Sequence, residues 1–296
     1  MENSVRSARV SLILAMCIFG TIGIFRRYIP LDSGLLAMSR GIIGSLFLIV
    51  LVKAKKQKFD RDAIRKNLLL LVVSGALIGF NWILLFEAYR YTTVATATLC
   101  YYLAPTFVML VSPLVLRERM TPRKGICVVV SLVGMILVSG VLNTGFCGVS
   151  ELKGVFLGIG AVALYATVVI MNKCLGPIPA YDKTILQLVS AAVVLIPYVL
   201  FVEKSGFAGT TPFVIIMLLV VGIVHTGAAY AMYFGSMAHL PAQTLAIFSY
   251  IDPVVAVILS ALLLREEITL AAVIGAVLIL GAALWGEMPE KEKADA

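Results

Sequence analysis

An aspartate inside an apolar run is the residue of this sequence best placed to carry chemistry. Residues 250–269 read YIDPVVAVILSALLLREEIT, in which Asp252 is the only charged residue before Arg265. An earlier stretch, residues 102–121, reads YLAPTFVMLVSPLVLRERMT and matches it at a shift of 148 residues (250 minus 102), with Ala104 in place of the acid. The chain therefore contains this segment twice and carries the carboxylate once.

Three roles are open for Asp252. An ionised aspartate at the centre of a membrane helix costs about 2.5–3.5 kcal/mol, which favours its protonated form and prepares it for proton coupling. His225 is predicted at a similar depth on the neighbouring span and is a candidate partner or relay. Alternatively, Asp252 is a fixed carboxylate that binds a substrate amine, or a residue that only stabilises its helix. The alanine in the other copy counts against a purely structural role.

The composition of this chain is that of a membrane protein. Hydrophobic residues make up 61% and charged residues 14%, with a mean hydropathy of +1.03, whereas soluble proteins are about 45–50% apolar. Ten apolar stretches are each long enough to cross a bilayer as a helix. They cover residues 9–29, 35–52, 68–89, 93–115, 125–142, 154–174, 183–202, 213–236, 242–264 and 270–286. The short connections leave no room for a soluble enzyme domain or a nucleic-acid-binding module.

The repeat extends over the whole chain and predicts its topology. Each half holds five spans, and because five is odd, the second half enters the membrane in the opposite orientation. Lys and Arg cluster on residues 53–66 and 117–124, but their counterparts 203–211 and 265–272 carry one each, as the positive-inside rule expects when both termini are cytoplasmic. We predict an all-α membrane protein with ten transmembrane helices in two inverted five-helix repeats. The predicted units are residues 1–142, residues 151–288 and a polar cytoplasmic tail at 289–296.

The chain resembles the EamA branch of the drug/metabolite transporter superfamily. The resemblance rests on two five-helix halves, each with an aromatic-rich third span and a fourth span that has an internal proline and is followed by Arg-Glu, at 117–118 and 265–266. It implies export or exchange of small metabolites, such as amino acids or toxic compounds. It also implies a central cavity lined mainly by spans 1, 3, 4, 6, 8 and 9.

Polar and aromatic side chains inside the spans mark the same helices. Hydroxyls, amides and aromatic rings in a cavity suit an amphipathic ligand, and the rings also suit a cation. The alternative is that small polar residues join helices and tyrosines lie at the membrane interface. The candidate cavity residues are Thr21, Asn81, Trp82, Thr98, Tyr101, Tyr102, Tyr165, Tyr230, Gln243, Ser249 and Tyr250.

Two further pairs carry predictions. Pro105 and Pro253 each remove a backbone donor within a span, so they are candidate hinges or, alternatively, simple packing kinks. Arg40 lies about 8 Å below the predicted outer interface, with Glu87 as its nearest candidate partner. We favour Arg40 as a topological anchor; the functional alternatives are an ion pair with Glu87 that closes an outer gate, or an anchor for a substrate carboxylate.

These observations favour a secondary transporter, an exporter or exchanger of small organic solutes that works by alternating access and has protons as a candidate coupling ion. A channel-like facilitator without coupling is the main alternative. An intramembrane enzyme is the other, but no HExxH or GxSxG motif is present, so we expect no catalytic residues, metal or cofactor. The expected partners are a small-molecule solute and membrane lipid, with no nucleic acid. We expect a multi-pass plasma-membrane protein, either a monomer or a homodimer.

Overall fold

The computed structural model shows a bundle of helices. It describes residues 2–91, 100–101, 103–118, 120–139, 149–203, 206, 210–264 and 269–287, and these contain no β-strand. The helices are α1 (Glu2–Arg27), α2 (Ser33–Ala54), α3 (Arg61–Tyr91), α4 (Ala104–Leu116), α5 (Pro122–Ser139), α6 (Val149–Cys174), α7 (Ala180–Val202), α8 (Pro212–Ser236), α9 (Ala242–Ser249), α10 (Ile251–Leu264) and α11 (Leu270–Glu287).

Apolar side chains cover the outside of the bundle. Leu114 is 82% exposed and Phe201 is 86% exposed, which water would not favour but lipid does. Within the described residues, α1, α2, α3, α6, α7 and α8 are long and apolar enough to cross a membrane by themselves. The prediction of an all-helical membrane protein is confirmed. Fewer than ten single helices reach full length, partly because the ninth predicted span is divided into α9 and α10.

Helix packing shows the two repeats directly. α3 packs against α6 and α7, and its counterpart α8 packs against α1 and α2. α2 also packs against α7, and α5 against α11. In the α2–α7 contact, a side chain at Gly41 would meet the Leu188 carbonyl, and these two positions are equivalent in the repeats (a shift of 147). Contact between equivalent positions places them at a pseudo-two-fold axis.

The ninth span breaks at Tyr250 and not at its proline. The Tyr250 N–H donates to the Ile247 carbonyl in a tightened last turn of α9, and α10 begins at Ile251. Pro253 therefore lies in the first turn of α10, where a helix needs no backbone donor. In the first repeat, Leu103 makes the same kind of turn and Pro105 stands in the first turn of α4. The prolines thus begin helices; whether they act as hinges stays a prediction.

The middle of α8 is a π-helical segment, Val221–Ala228, between regular turns at Pro212–Val220 and Ala229–Ser236. Such segments carry one extra residue per turn and are frequent at functional sites. This one packs tightly on α2: a side chain at Gly222 would overlap Ile43, and one at Gly227 would overlap Phe47. The equivalent part of α3 is regular α-helix. The segment is therefore an asymmetric feature of the second repeat.

At the end of the bundle where α1 begins, which we call the amino-terminal end, charged side chains cap helix α8 and helix α9. Lys183 Nζ donates to the Phe234 carbonyl at 2.8 Å, and Lys173 Nζ donates to the carbonyls of Met237 (3.1 Å) and Leu240 (2.8 Å). The Ala242 N–H, at the start of α9, donates to Glu118. Lysines at helix C-termini and a glutamate at an N-terminus satisfy unpaired backbone groups and the helix dipole.

At the opposite end, Glu203 caps α2. Its two carboxylate oxygens accept from the N–H groups of Gly34 (2.6 Å) and Leu35 (2.7 Å). Burial raises the pKa of Glu203, although these two donors favour the charged form. The interaction ties the end of α7 to the start of α2, so the two repeats are joined here as well as through their packed helices.

Candidate functional site

Arg40 points into the bundle from α2. Its Nε donates to the hydroxyl of Thr226 at 2.9 Å, and that hydroxyl donates to the Val221 carbonyl five residues earlier. The guanidinium carbon lies 5.1 Å from the centre of the Trp82 ring, a cation–π distance. Arg40 is partly buried as a residue. The π-helical segment places Thr226 where it accepts this hydrogen bond.

The rings of Trp82 and Tyr230 meet edge to face, with centroids 6.3 Å apart. The two residues occupy equivalent positions of the two repeats, so they lie at the pseudo-two-fold axis. Phe19 from α1 packs against Tyr230 at 5.3 Å, and Phe234 packs against its other side at the same distance. These rings therefore form an aromatic wall at the repeat axis.

Asp252 lies in the first turn of α10, where the helix N-terminus stabilises negative charge. No described residue makes a hydrogen bond or ion pair with its carboxylate, and the side chain is partly accessible. Tyr230 lies within electrostatic range of both Asp252 and Arg40.

His225 is buried on the π-helical segment and contacts α1 instead of Asp252. Its Nε2 lies 2.6 Å from the Thr21 hydroxyl, which itself donates to the Ile18 carbonyl and is therefore placed to accept from an Nε2–H. The neighbouring position, Gly20, has the Asp252 carbonyl so close that a side chain would overlap it. His225 and Asp252 thus flank one turn of α1. No described contact joins His225 to Asp252, and a role for His225 as partner or relay stays a prediction.

We call this group the central cluster; its members come from α1, α2, α3, α8 and α10. It comprises Phe19, Thr21, Arg40, Trp82, His225, Thr226, Tyr230 and Asp252.

A second group of rings adjoins the central cluster. The Tyr165 hydroxyl donates to the Tyr233 hydroxyl at 2.7 Å, Tyr101 packs on Tyr165 with centroids 5.7 Å apart, and Phe19 contacts Tyr233. Tyr165 and Tyr101 are partly accessible. The structure therefore brings the predicted residues Tyr101 and Tyr165 towards the aromatic walls.

Several other predicted cavity residues lie elsewhere. Tyr250 is fully buried (0% exposed) among Met135, Val254 and Ile279, and its hydroxyl lies 3.1 Å from that of Thr106. Its placement in the cavity is therefore wrong, because the turn at Tyr250 directs the ring towards α5 and α11.

Asn81, Gln243 and Ser249 also fall away from the central cluster. The Asn81 amide donates to the Ala161 carbonyl and joins α3 to α6. Gln243 is fully buried in α9, and Ser249 donates to the Leu245 carbonyl within that helix, although it also bonds to Tyr233. Thr98 and Tyr102 lie outside the described residues.

The predicted Arg40–Glu87 pair does not form in this structure, which corrects the expectation of an ion-paired outer gate. Glu87 accepts from Arg90 at 2.9 Å, one turn along α3, and from the Tyr198 hydroxyl at 2.6 Å. Glu87 is near the end of its helix, where these partners reach it, whereas Arg40 extends inwards to Thr226. Sequence depth alone did not reveal this direction.

Sequence reasoning also missed Phe19 and Thr226. Thr226 adjoins His225, but the π-helical segment that directs its hydroxyl to Arg40 has no signal in hydropathy. Phe19 looks like an ordinary apolar-span residue, and only its packing identifies it. Among the described residues, no three His, Cys, Asp or Glu side chains come together as a metal site requires.

A separate cleft of about 880 Å³ opens at the amino-terminal end between α1, α2, α7 and α8. Its lining includes Ser7, Ser11, Lys58, Tyr181 and His239 but neither Arg40 nor Asp252. It lies on the face of α8 that carries Ala228, Ala231 and Gly235, so it does not belong to the central cluster.

Comparison with known proteins decides the family. The model of the EamA-like transporter family matches this chain twice, over residues 7–140 and 152–285. The chain belongs to the EamA-like transporter family. The two matches coincide with the repeats seen in the packing of the helices. As a family member, the protein is a multi-pass membrane transporter and not an enzyme.

Similar proteins carry transporter names. A protein of Bacillus subtilis named uncharacterized transporter YxxF is 28% identical over 275 residues, covering 92% of this chain and 87% of its own length. Another from the same organism, uncharacterized transporter YetK, is 27% identical and covers 98% and 89%. A solved crystal structure superposes with a TM-score of 0.85 at 19% identity, covering 95% of this chain and 96% of its own. This last likeness concerns the fold.

Proposed function

We propose that the protein is a secondary transporter that binds a small organic solute at the central cluster and moves it by alternating access. The observation that carries this proposal is the pair of charged side chains, Arg40 and Asp252, beside Tyr230 on the repeat axis. Charges inside a membrane bundle are costly and usually mark a solute or ion pathway. The break between α9 and α10 beside Asp252 is the kind of discontinuity at which such transporters bind.

Proton coupling through Asp252 is the second part of the proposal. The carboxylate has no partner in the described residues, so binding and release of a proton do not require a competing ion pair to break. Burial favours the neutral form and the start of α10 favours the charged form, so both forms are within reach. We infer antiport: protons that move down their gradient into the cell drive the solute out of it, so the protein is an exporter.

The proposed location is the plasma membrane, with the amino-terminal end of the bundle cytoplasmic. Cysteines introduced at Lys56 and Gly206 in a background without native cysteines test this arrangement. Lys56 lies in the basic α2–α3 loop and Gly206 in the α7–α8 loop. A membrane-impermeant maleimide should label position 206 in intact cells and position 56 only after permeabilisation. Labelling of both from one side would contradict the inverted repeat.

Counterflow in proteoliposomes tests transport itself. Proteoliposomes that contain the purified protein are loaded with pooled unlabelled solutes. They should show saturable uptake of the labelled form of at least one of these solutes. Empty liposomes and protein inactivated by heat are the controls. A channel would pass solute without saturation or exchange, so uptake that rises linearly with concentration would favour the channel alternative.

A further inference from the structure

Arg40 has no carboxylate partner among the residues that the structure describes. Its Nε is engaged by Thr226, its face covers Trp82, and no carboxylate among the described residues lies within ion-pair distance. The closest ionisable neighbours are His225 and tyrosines, none of which supplies a resident negative charge. An unpaired guanidinium in a low-dielectric interior is destabilising, and it becomes favourable when an anion joins it.

We propose that Arg40 binds a carboxylate group of the transported solute. This inference rests on the proposed function and names the chemical class of the solute. The outer edge of the guanidinium has two N–H groups in a planar fork that matches the two oxygens of a carboxylate. Because Nε is held by Thr226, that fork is already oriented, and little conformational freedom is lost on binding.

The neighbouring residues describe the rest of the solute. Trp82, Tyr230 and Phe19 form an apolar wall beside the guanidinium, which suits an aromatic or branched aliphatic body. Asp252 is also within electrostatic range of Tyr230 and is able to accept an amine if the solute has one. The carboxylate is the required feature, and the amine is not.

A dianionic phosphate fits this position less well than a carboxylate. Arg40 is the only Lys or Arg among the residues of the central cluster. Lys173 and Lys183 also point into the bundle, and backbone carbonyls hold both of them at the amino-terminal end. A single guanidinium balances one negative charge, so the site selects a monoanion.

Matched solutes test the charge requirement. Purified wild-type protein is heated with triplets of equal shape: 3-phenylpropionate, 3-phenylpropionamide and 3-phenylpropylamine, then 4-methylvalerate and hexanoate, each with its amide and amine. Carboxylates should raise the melting temperature and compete in counterflow, and their amides should bind about tenfold or more weakly. A panel in which no carboxylate outperforms its amide, including one in which nothing binds, overturns the proposal.

Two variants separate charge from structure. Arg40→Gln installs the residue found at the equivalent position of the other repeat, and it should lose the preference for carboxylates. Arg40→Lys should retain part of that preference, because it keeps the charge but loses the fork. Arg90→Gln removes an exposed arginine, 63% accessible, from the end of α3 and is the matched control, which should behave as wild type. An Arg40→Gln protein that still prefers carboxylates excludes Arg40 as the anchor.

Counterflow distinguishes this inference from the proposed function. If the wild-type protein exchanges amines or neutral solutes and ignores carboxylates, transport stands and the assignment of Arg40 is wrong. If it exchanges no solute while carboxylates still raise its melting temperature in an Arg40-dependent manner, binding stands and the proposed transport is wrong.

Discussion

The two repeats have the same helix arrangement but differ at one equivalent position, which is Arg40 in the first repeat and Gln187 in the second. In the first repeat, Arg40 faces the central cluster and lacks a carboxylate partner among the described residues. In the second, Gln187 is fully buried on α7, where its amide donates to Ser74 at 2.7 Å and Asn172 at 3.3 Å. The same position thus holds a charged guanidinium in one repeat and a neutral, hydrogen-bonded amide in the other.

The fourth spans of the two repeats differ in the reverse way, because here the charged residue belongs to the second repeat. Ala104, at the start of α4, is buried (2% exposed), whereas Asp252 lies in the first turn of α10 and is partly buried as a residue. Both helices begin after the same kind of turn, so the backbone does not require the acid. The cation belongs to one repeat and the acid to the other, so both charges on which the proposed function rests are departures from the symmetry of the repeats.

Exchanging the residues of the first pair should give the largest effect. Gln187→Arg places an unpaired charge and extra volume into a fully buried site, and each change by itself costs several kcal/mol. We expect this variant to yield no monodisperse protein on size-exclusion chromatography. Arg40→Gln, the reciprocal change, removes an unpaired charge and should leave the melting temperature equal to or above that of the wild type. Equal stability of both variants would show that the two positions are interchangeable.

Removal of the acid should give the next largest effect. Asp252→Asn keeps the shape of the side chain but binds no proton, so accumulation of solute driven by an imposed pH gradient should fall about tenfold or more. Counterflow, which needs no net proton movement, should continue.

Asp252→Ala, which copies Ala104, is the second member of this test, and both variants should keep the wild-type elution profile. Gradient-driven accumulation at the wild-type level in both would remove Asp252 from the coupling step. Loss of counterflow as well would favour its role as a ligand for a substrate amine.

Two glycines of α1 give a smaller, structural test. Gly20→Ala introduces a methyl group that overlaps the Asp252 carbonyl and Val255, whereas Gly23→Ala meets no atom within 4 Å. The first should lower the melting temperature by about 2–8 °C, from about 1–2 kcal/mol of overpacking. The second should leave it unchanged or raise it slightly, since alanine favours helix. Equal shifts in a thermal unfolding assay would mean that α1 and α10 do not pack as described.

The smallest effect should come from Tyr250→Phe. The substitution removes the hydrogen bond to Thr106 and changes stability by about 1 kcal/mol. Solute affinity in counterflow should not change, because the ring lies outside the central cluster. Tyr230→Phe, at the repeat axis, is the comparison and should alter affinity. A change in affinity for Tyr250→Phe would return that residue to the cavity.

Much of the fold could be read from the sequence because the hydrophobic pattern and the repeat each constrain it. The apolar stretches separated by polar loops give the positions of the spans. The nearly constant shift between the repeats pairs Trp82 with Tyr230 and shows that Asp252 has no acidic counterpart. The directions of Arg40 and Tyr250 did not follow, because helical depth says nothing about which neighbour a side chain faces. That depends on the π-helical segment and on the turn at Tyr250, which result from packing between the repeats.

The π-helical segment of α8 also has a rotational consequence. A segment with one surplus residue sets the turns on its two sides about 100° away from the register of an unbroken α-helix. His225 and Thr226 lie within the segment, and Tyr230 and Tyr233 follow it. Conversion of the segment to regular helix would therefore rotate the tyrosines relative to the part of α8 before Val221. The equivalent part of α3 is regular α-helix, so a rotation of this kind is open to Tyr230 and not to Trp82.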